Sequence, residues 1–282
     1  MAINLESIIC GKQKTPPKIF IYGVEGIGKS SWASKAPGSI FTNIEDRLAH
    51  IDSNKFPLAK TYDEVLEQIA LLINEEHSFQ THITDSVDWL EKLIHGKICE
   101  ENGEETITAN QQGSPLAFGR GYVLAEELFR HYLAGLEKLR VSKNMAIIFT
   151  GHAHIKKFED PMRDSYDHYI PAMNERISST LKQWADCVFF CNYEVGVKKV
   201  EGSKTKKKAI AVGKRLIYTE KRPFFDAKNS YDMPFEIIMN KDKGFNTFLE
   251  YYSEWMTNPA PIKKTAPKKT TGKKTSSSKG TK

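Results

Sequence analysis

Short, nearly unbroken apolar runs alternate along the chain with longer stretches in which apolar residues recur every three or four positions. Ile19–Tyr22, "SIFTNIE" ending at Glu45, and Met145–Thr150 are runs of the first kind. Their length and β-branched or aromatic content predict strands buried on both faces. The helical period predicts three helices. One runs from Lys29 to about Lys35 and is stopped by Pro37 and Gly38. A second covers residues 61–77, with Thr61 and Glu64 at capping-box spacing and Val65, Ile69, Leu72 and Ile73 on one face. A third runs from Tyr122 to Arg140, with Leu128, Tyr132, Leu136 and Leu139 aligned. "FQTHITD" is a weaker, more polar strand ending at Asp85, and residues 96–121 read as a long polar insertion. Strands and helices alternating at this spacing predict right-handed βαβ units and an α/β fold, a mainly parallel central sheet covered by helices on both faces.

The pattern changes after residue 186. "VFFCNYEVGV" and "AIAVGKRLIYT" are β-type runs flanking "KKVEGSKTKKK", which predicts a C-terminal hairpin with a basic tip. "FEIIMN" is a further strand, followed by a helix whose apolar stripe is Phe245, Phe248, Leu249, Tyr252 and Trp255. The expected organisation is a polar leader over 1–17, one domain over 18–257, and a tail over 258–282.

Charge sharpens that division. Of the net charge of +6, eight lysines and no acid lie in residues 259–282, so the other 258 residues carry about −2. The tail is rich in Pro, Thr, Ser and Gly and has no large apolar residue after Ile262; it is expected to be a disordered cationic arm. The start of the chain lacks the apolar segment of a secretory signal, and no run is long enough to span a membrane, which predicts a soluble intracellular protein. Cys10, Cys99, Cys187 and Cys191 form no CxxC pair and predict neither a disulfide framework nor a zinc site.

The chemistry concentrates where the first strand stops. Residues Gly23-Val24-Glu25-Gly26-Ile27-Gly28-Lys29-Ser30, followed by Ser31, satisfy GxxxxGK[ST] between a predicted strand and a predicted helix. Glycines let successive backbone N–H groups face a phosphate, Lys29 can reach the β- and γ-phosphates, and the Ser30 hydroxyl can ligate Mg²⁺. The expected ligand is a nucleoside triphosphate, ATP with Mg²⁺. Hydrolysis further requires a carboxylate that holds Mg²⁺ through water, a base for the attacking water and a group that senses the γ-phosphate. Asp85, at a strand end, suits the Mg²⁺ role. Glu45 and His152 end their strands at the same edge of the sheet. His152 and His154, with Asp160 or His168, offer an alternative reading as metal ligands.

The ordered motifs "YGVEGIGKSSWA", "IFTNIED", "ITDSVDWL", "IIFTGHAHIKKFEDP", "LKQWADCVFF" and "DAKNSYDMP" resemble phage-encoded P-loop ATPases with a RecA-like core, the group that contains single-strand annealing and recombination proteins. The likeness runs from about Lys18 to Ile238. It implies a RecA-like fold and an ATPase whose hydrolysis is stimulated by DNA. The implied setting is DNA recombination, repair or annealing in the cytoplasm of an infected bacterial host. It assigns Lys29 and Ser30 as P-loop ligands, Glu45 as the water-activating glutamate, Asp85 as the Mg²⁺-linked aspartate and His152 as the γ-phosphate sensor. Ser230 stands where relatives carry arginine, so a cation acting across a subunit boundary would have to be Arg215, Lys221 or Arg222.

RecA-like proteins contact DNA through loops after the third and fourth strands, here residues 96–121 and 153–174. The second contains Lys156, Lys157, Phe158, Arg163, Tyr166 and Tyr169, cations interleaved with aromatics. The hairpin tip adds Lys198, Lys199, Lys204, Lys206, Lys207 and Lys208. The expected partners are single-stranded DNA, further copies of the chain in a ring or filament, and phage single-strand-binding or replication proteins, with no membrane. Two other readings stay open: a helicase-like motor or loader in replication, and a nucleotide-dependent switch or scaffold.

Overall fold

The computed structural model describes residues 8–109, 113–159, 164–199 and 207–257, with backbone alone for 195–199 and 207–212. The first strand, β1 (Lys18–Gly23), lies between β5 (Ala146–Phe158) and β7 (Cys187–Lys199) and runs parallel to both. Outward from β5 come β4 (Thr81–Asp85), β2 (Ser39–Asn43) and the two-residue β3 (Asn54–Lys55), all parallel. On the other side β7 turns back as β8 (Lys207–Tyr218), then β9 (Glu236–Ile238), both antiparallel. Among the described residues the sheet has nine strands, the ninth being β6 (Tyr166–Pro171), which pairs only with the outer part of β5.

The unbroken apolar runs follow from this layering. Phe20, Tyr22, Ile147, Phe149 and Phe190 face α2 (Tyr62–Asn74), α3 (Val87–Asn102), α4 (Arg120–Lys143) and α5 (Glu175–Trp184). The intervening Ile19, Ile21, Ile148 and Phe189 face α1 (Lys29–Ala33) and α6 (Asn246–Leu249), where Trp32, Phe245 and Phe248 close the second core. Both faces are covered, so the buried stretches of β1 and β5 are almost wholly apolar. The fold is the mainly parallel α/β sheet, covered on both faces, that the sequence predicts. The Thr61 cap forms as expected, its hydroxyl accepting the Glu64 N–H at 3.2 Å. Among the described residues no helix is long and apolar enough to cross a membrane.

Four expectations are corrected. The strand β4 is not a weak, half-exposed element: all five residues are buried between β2 and β5. Most of its polar side-chain atoms are paired internally, Thr81 Oγ1 donating to Pro37 O at 2.9 Å, His82 Nε2 meeting Thr42 Oγ1 at 3.0 Å and Thr84 Oγ1 meeting the Tyr132 hydroxyl at 2.8 Å, while His82 Nδ1 is buried without a partner. Burial pushes His82 down to about 3, so its ring is neutral. The polar insertion of 96–121 is shorter than expected, because α3 continues to Asn102 on the buried stripe Val87, Leu90, Ile94 and Ile98. The expected loop over 153–174 is largely a β-hairpin: β5 runs on past the sheet to Phe158 and returns as β6, pairing Lys156 with His168 and Phe158 with Tyr166. The C-terminal stripe is carried by a four-residue helix and a 3₁₀ turn (Glu254–Thr257) rather than one continuous helix, although Phe245, Phe248 and Trp255 are buried.

The expected hairpin of β7 and β8 forms, with Lys199 opposite Lys207 and Lys198 opposite Lys208. Its tip, with Lys204 and Lys206, lies outside the described residues, as do Arg163, residues 1–7 of the leader and the tail from 258. The rest of the leader is tied down: Arg140 donates to Pro16 O at 3.1 Å and the Tyr252 hydroxyl to Thr15 O at 2.8 Å.

The Thr84–Tyr132 hydroxyl pair bonds the sheet to α4 in a fully buried environment. Thr84→Val and Tyr132→Phe are each expected to lower unfolding free energy by about 1–3 kcal/mol, since each strands one buried hydroxyl. The double variant, which leaves none stranded, is expected to lose clearly less than the sum. Urea midpoints of the four proteins check this.

Candidate functional site

At the carboxyl edge of β1 the chain must leave the sheet within a few residues and enter α1. A Cβ at Gly23 would lie 2.1 Å from Cys191 O, so only glycine lets β1 end this close to β7. Gly28, at φ 105°, sets the chain into α1 from a backbone region that other residues avoid. The first turn of that helix leaves N–H groups without intrahelical acceptors at the mouth of the turn.

Lys29 is 7% exposed, and its ammonium donates to Gly23 O and Val24 O, both at 3.0 Å. Burial pulls its pKa below the usual lysine value. A cation held over carbonyl dipoles beside open N–H groups is arranged for an incoming polyanion, whose charge would raise the lysine pKa again. Ser30 Oγ donates to Asp85 Oδ1 at 2.9 Å, and Thr150 Oγ1 donates to the same oxygen. Burial pushes the Asp85 carboxyl up, and the two hydroxyls and the Lys29 charge pull it back down. The Asp85–Ser86 peptide is cis. A hydroxyl and a carboxylate oxygen in contact beside a phosphate cradle are hard oxygen donors that fit Mg²⁺.

Glu45 lies two residues beyond β2, in the following loop rather than in the strand as expected. The loop is fixed by Ile44 N–H donating to Asp85 O at 3.1 Å and Asp46 N–H to Asn43 Oδ1 at 3.2 Å. The Glu45 side chain is only 7% exposed; Ser86 Oγ donates to it at 3.2 Å and Arg47 Nε lies 3.2 Å away. Its carboxylate is therefore held at the cavity with a defined orientation. His152 is still within β5, opposite Gly23 in the register. Its ring Nδ1 lies 2.9 Å from Asp88 Oδ2, and its backbone N–H donates to Asp88 Oδ1 at 3.2 Å. The side-chain hydrogen bond with Asp88 raises the His152 pKa against burial. Burial lifts Asp88, but the bonds from His152 outweigh it and leave the carboxyl below the usual range.

Lys29, Ser30, Glu45, Asp85 and His152 thus line one cavity of about 440 Å³, with Gly26, Gly28 and Ser31 of the turn. Its far wall is Arg215, Met239, Asn240 and Lys241. Arg215 donates to Ile27 O at 3.0 Å, so this cation, considered from sequence for a neighbouring subunit's site, stands at the turn of its own chain. The other candidates stand elsewhere: Lys221 is 3.4 Å from Asp226, and the Arg222 guanidinium sits 3.8 Å over the Phe235 ring. Ser230 Oγ donates to Asp186 O at 2.9 Å. Of the expected DNA contacts, Lys156 and Lys157 are exposed on the β5–β6 hairpin. Among the described residues no three His, Cys, Asp or Glu side chains converge as a metal site; Asp160, one of the ligands considered from sequence, lies outside them.

Sequence reasoning missed Ser86, Asp88 and Thr150. Asp88 had a usable signal: Asp85, Asp88 and Glu91 recur every three residues at the start of an apolar-periodic stretch. Thr150 had none, being one more β-former in an apolar strand.

A glycine turn between β1 and α1, with a buried lysine and a serine–aspartate pair at the carboxyl edge of a parallel sheet, defines a P-loop nucleoside triphosphatase. The AAA domain family matches residues 15–231, and the chain belongs to that family of P-loop ATPases. No curated protein matches it significantly.

The His152–Asp88 pair carries a pH signature. A histidine raised above 6.5 contributes stability that is present below that value and fades as pH rises through the raised one; the lowered Asp88 contributes above 3.8 and is lost as pH falls through its own lowered value. Titration of His152 by NMR is expected to give a midpoint above 6.5 in the native protein. In Asp88→Asn the midpoint is expected to fall back towards that value.

Proposed function

We propose that the protein is an ATP-hydrolysing, single-stranded-DNA-binding protein of phage recombination or repair, acting as a homo-oligomer to promote annealing or strand exchange. The observation that carries the reading is a continuous strand: β5 brings His152 to the nucleotide cavity and, without a break, runs out to Lys156, Lys157 and Phe158. The ordered motifs that resemble phage recombination ATPases support the setting. An exposed aromatic and cationic hairpin supports the partner, since Phe158 is 46% exposed and packs against Tyr166 with ring centroids 5.4 Å apart.

In this reading Lys29 leaves the Gly23 and Val24 carbonyls for the terminal phosphates, and Arg215 lies beside the same turn as a second cation. Bound Mg²⁺ supplies charge neutralisation for the transferred phosphoryl group. The Ser30 hydroxyl and the Asp85 carboxylate would hold it, Asp85 through water. Glu45, oriented by Ser86 and Arg47, takes the proton of the attacking water. His152 reads the terminal phosphate, its ring direction set by Asp88.

Two outcomes follow. Lys29→Ala is expected to weaken nucleotide binding by about tenfold or more, whereas Glu45→Gln keeps affinity and loses about 10²–10⁴ in turnover. Nucleotide titration with steady-state turnover checks both, and full turnover in Glu45→Gln would move the base to another carboxylate.

The DNA assignment is checked by ATP turnover with and without single-stranded DNA, alongside annealing of complementary strands. Stimulation with annealing is expected. Directional unwinding would favour a motor, and nucleotide binding indifferent to DNA would favour a switch. Replacing Lys156 and Lys157 by alanine, or deleting 259–282, is expected to flatten the dependence of log K on log[salt] by about 0.7 for each phosphate that is no longer neutralised.

A further inference from the structure

Two carboxylates stand between the nucleotide cavity and the β5–β6 hairpin. Asp88 and Glu91 lie one turn apart on α3 and are 8% and 6% exposed. Asp88 accepts the His152 backbone N–H at 3.2 Å and meets its ring Nδ1 at 2.9 Å. Glu91 accepts the backbone N–H of Asn174 with both oxygens, at 2.9 and 3.1 Å. His152 and Asn174 are the two roots of the hairpin. The outgoing strand becomes exposed just beyond His152, the returning strand ends at Pro171, and Ala172 N–H donates to His152 O at 2.8 Å to close one root on the other. Asn174 also caps α5, its Oδ1 accepting the Arg176 N–H at 3.0 Å.

Packing alone does not call for this arrangement. A leucine at position 91 would continue the apolar stripe of Val87, Leu90 and Ile94, whereas a buried carboxylate costs several kcal/mol unless its lone pairs are used. Glu91 directs both oxygens at one main-chain N–H, at the junction where the hairpin ends and α5 begins, with His95 Nε2 of its own helix 3.5 Å from Oε1. Burial pushes this carboxyl up to about 7, against the pull of the Asn174 N–H.

We propose that Asp88 and Glu91 are positioning residues that clamp both roots of the β5–β6 hairpin to α3, so that the hairpin answers as one body to what the His152 ring meets in the cavity. The inference rests on the reading of the cavity as a nucleotide site with His152 facing the terminal phosphate. It does not depend on what the hairpin binds. A rigid helix holding both strands converts a small movement at one root into a displacement of the pair, where a single attachment would let the strands respond separately.

Hydrogen exchange of the full-length protein, with and without a non-hydrolysable ATP analogue, tests the clamp. In the native protein the analogue is expected to change exchange of the hairpin amides, 153–158 and 166–171 together, by about fivefold or more. Glu91→Gln keeps the size and one acceptor; it is expected to bind the analogue within about twofold of the native affinity and to lose at least half of that response. Glu91→Ala is expected to lose it all, and if that variant fails to fold, the glutamine variant decides. Without nucleotide, Glu91→Gln is expected to speed exchange on both strands at once. A native hairpin indifferent to bound analogue, a full response in Glu91→Gln, or faster exchange confined to 171–174 would overturn the clamp. Failure of the analogue to bind, seen by titration, would remove the nucleotide reading, and the comparison without nucleotide would still decide whether the roots are clamped. An intact response with no affinity for single-stranded DNA would remove the DNA reading and leave the clamp standing.

Discussion

The Asp85 carboxylate, at the end of β4, receives hydroxyl hydrogen bonds from Ser30 at the head of α1 and from Thr150 in β5. One buried acid therefore joins the phosphate-binding turn to two central strands of the sheet. A carboxylate removed from water is costly unless its oxygens are used, and here both donors come from elements that otherwise only pack against one another. The next link is main chain: Ile44 N–H donates to Asp85 O, which sets the loop that carries Glu45. Lys29 adjoins Ser30, so ammonium, hydroxyl and glutamate are all tied to Asp85, through its carboxylate on one side and its main-chain oxygen on the other.

The sheet carries that arrangement away from the cavity. Its strands are buried on both faces near the nucleotide site, but β5 goes on after losing its cover and pairs only with β6. Rigidity and exposure meet within one strand, whose inner half is fixed by neighbours on both sides and whose outer half presents charged and aromatic side chains to solvent. The clamp on α3 stands where one regime passes into the other.

How legible this was in the sequence depends on what fixes each part. The P-loop spacing is dictated by the phosphate and the helix start, so the glycine turn between β1 and α1 was legible with no knowledge of the remaining chain. Apolar runs gave β1, β2 and the inner part of β5 for the same reason, since two covered faces leave a local signature. The strand β4 was legible as far as its end at Asp85, but its burial was not, because Thr81, His82 and Thr84 look exposed until their partners at Pro37, Thr42 and Tyr132 are known. The start of α3 hid because strand and helix abut at Ser86 without a turn signal, and the polar residues beyond Gly96 suggested a loop. The hairpin was misread because a strand without cover loses the burial pattern that marks it. Arg215 was ambiguous because its place beside Ile27 is set by the return of β8 along β7, an approach across 188 residues of chain.

The wall formed by Arg215, Met239, Asn240 and Lys241 brings residues far along the chain to the turn near its start. Phe245 N–H donates to Trp32 O at 3.0 Å, and Trp32 Nε1 to Thr247 Oγ1 at 3.3 Å, so the same late segment also locks the helix that follows the phosphate turn. The turn of the cradle is complete by Ser31, whereas the wall beside it is complete only with Lys241. The family match ends at 231, before Met239. The wall is thus shared, Arg215 coming from within the matched stretch and Met239, Asn240 and Lys241 from the segment beyond it, so the pocket draws on both.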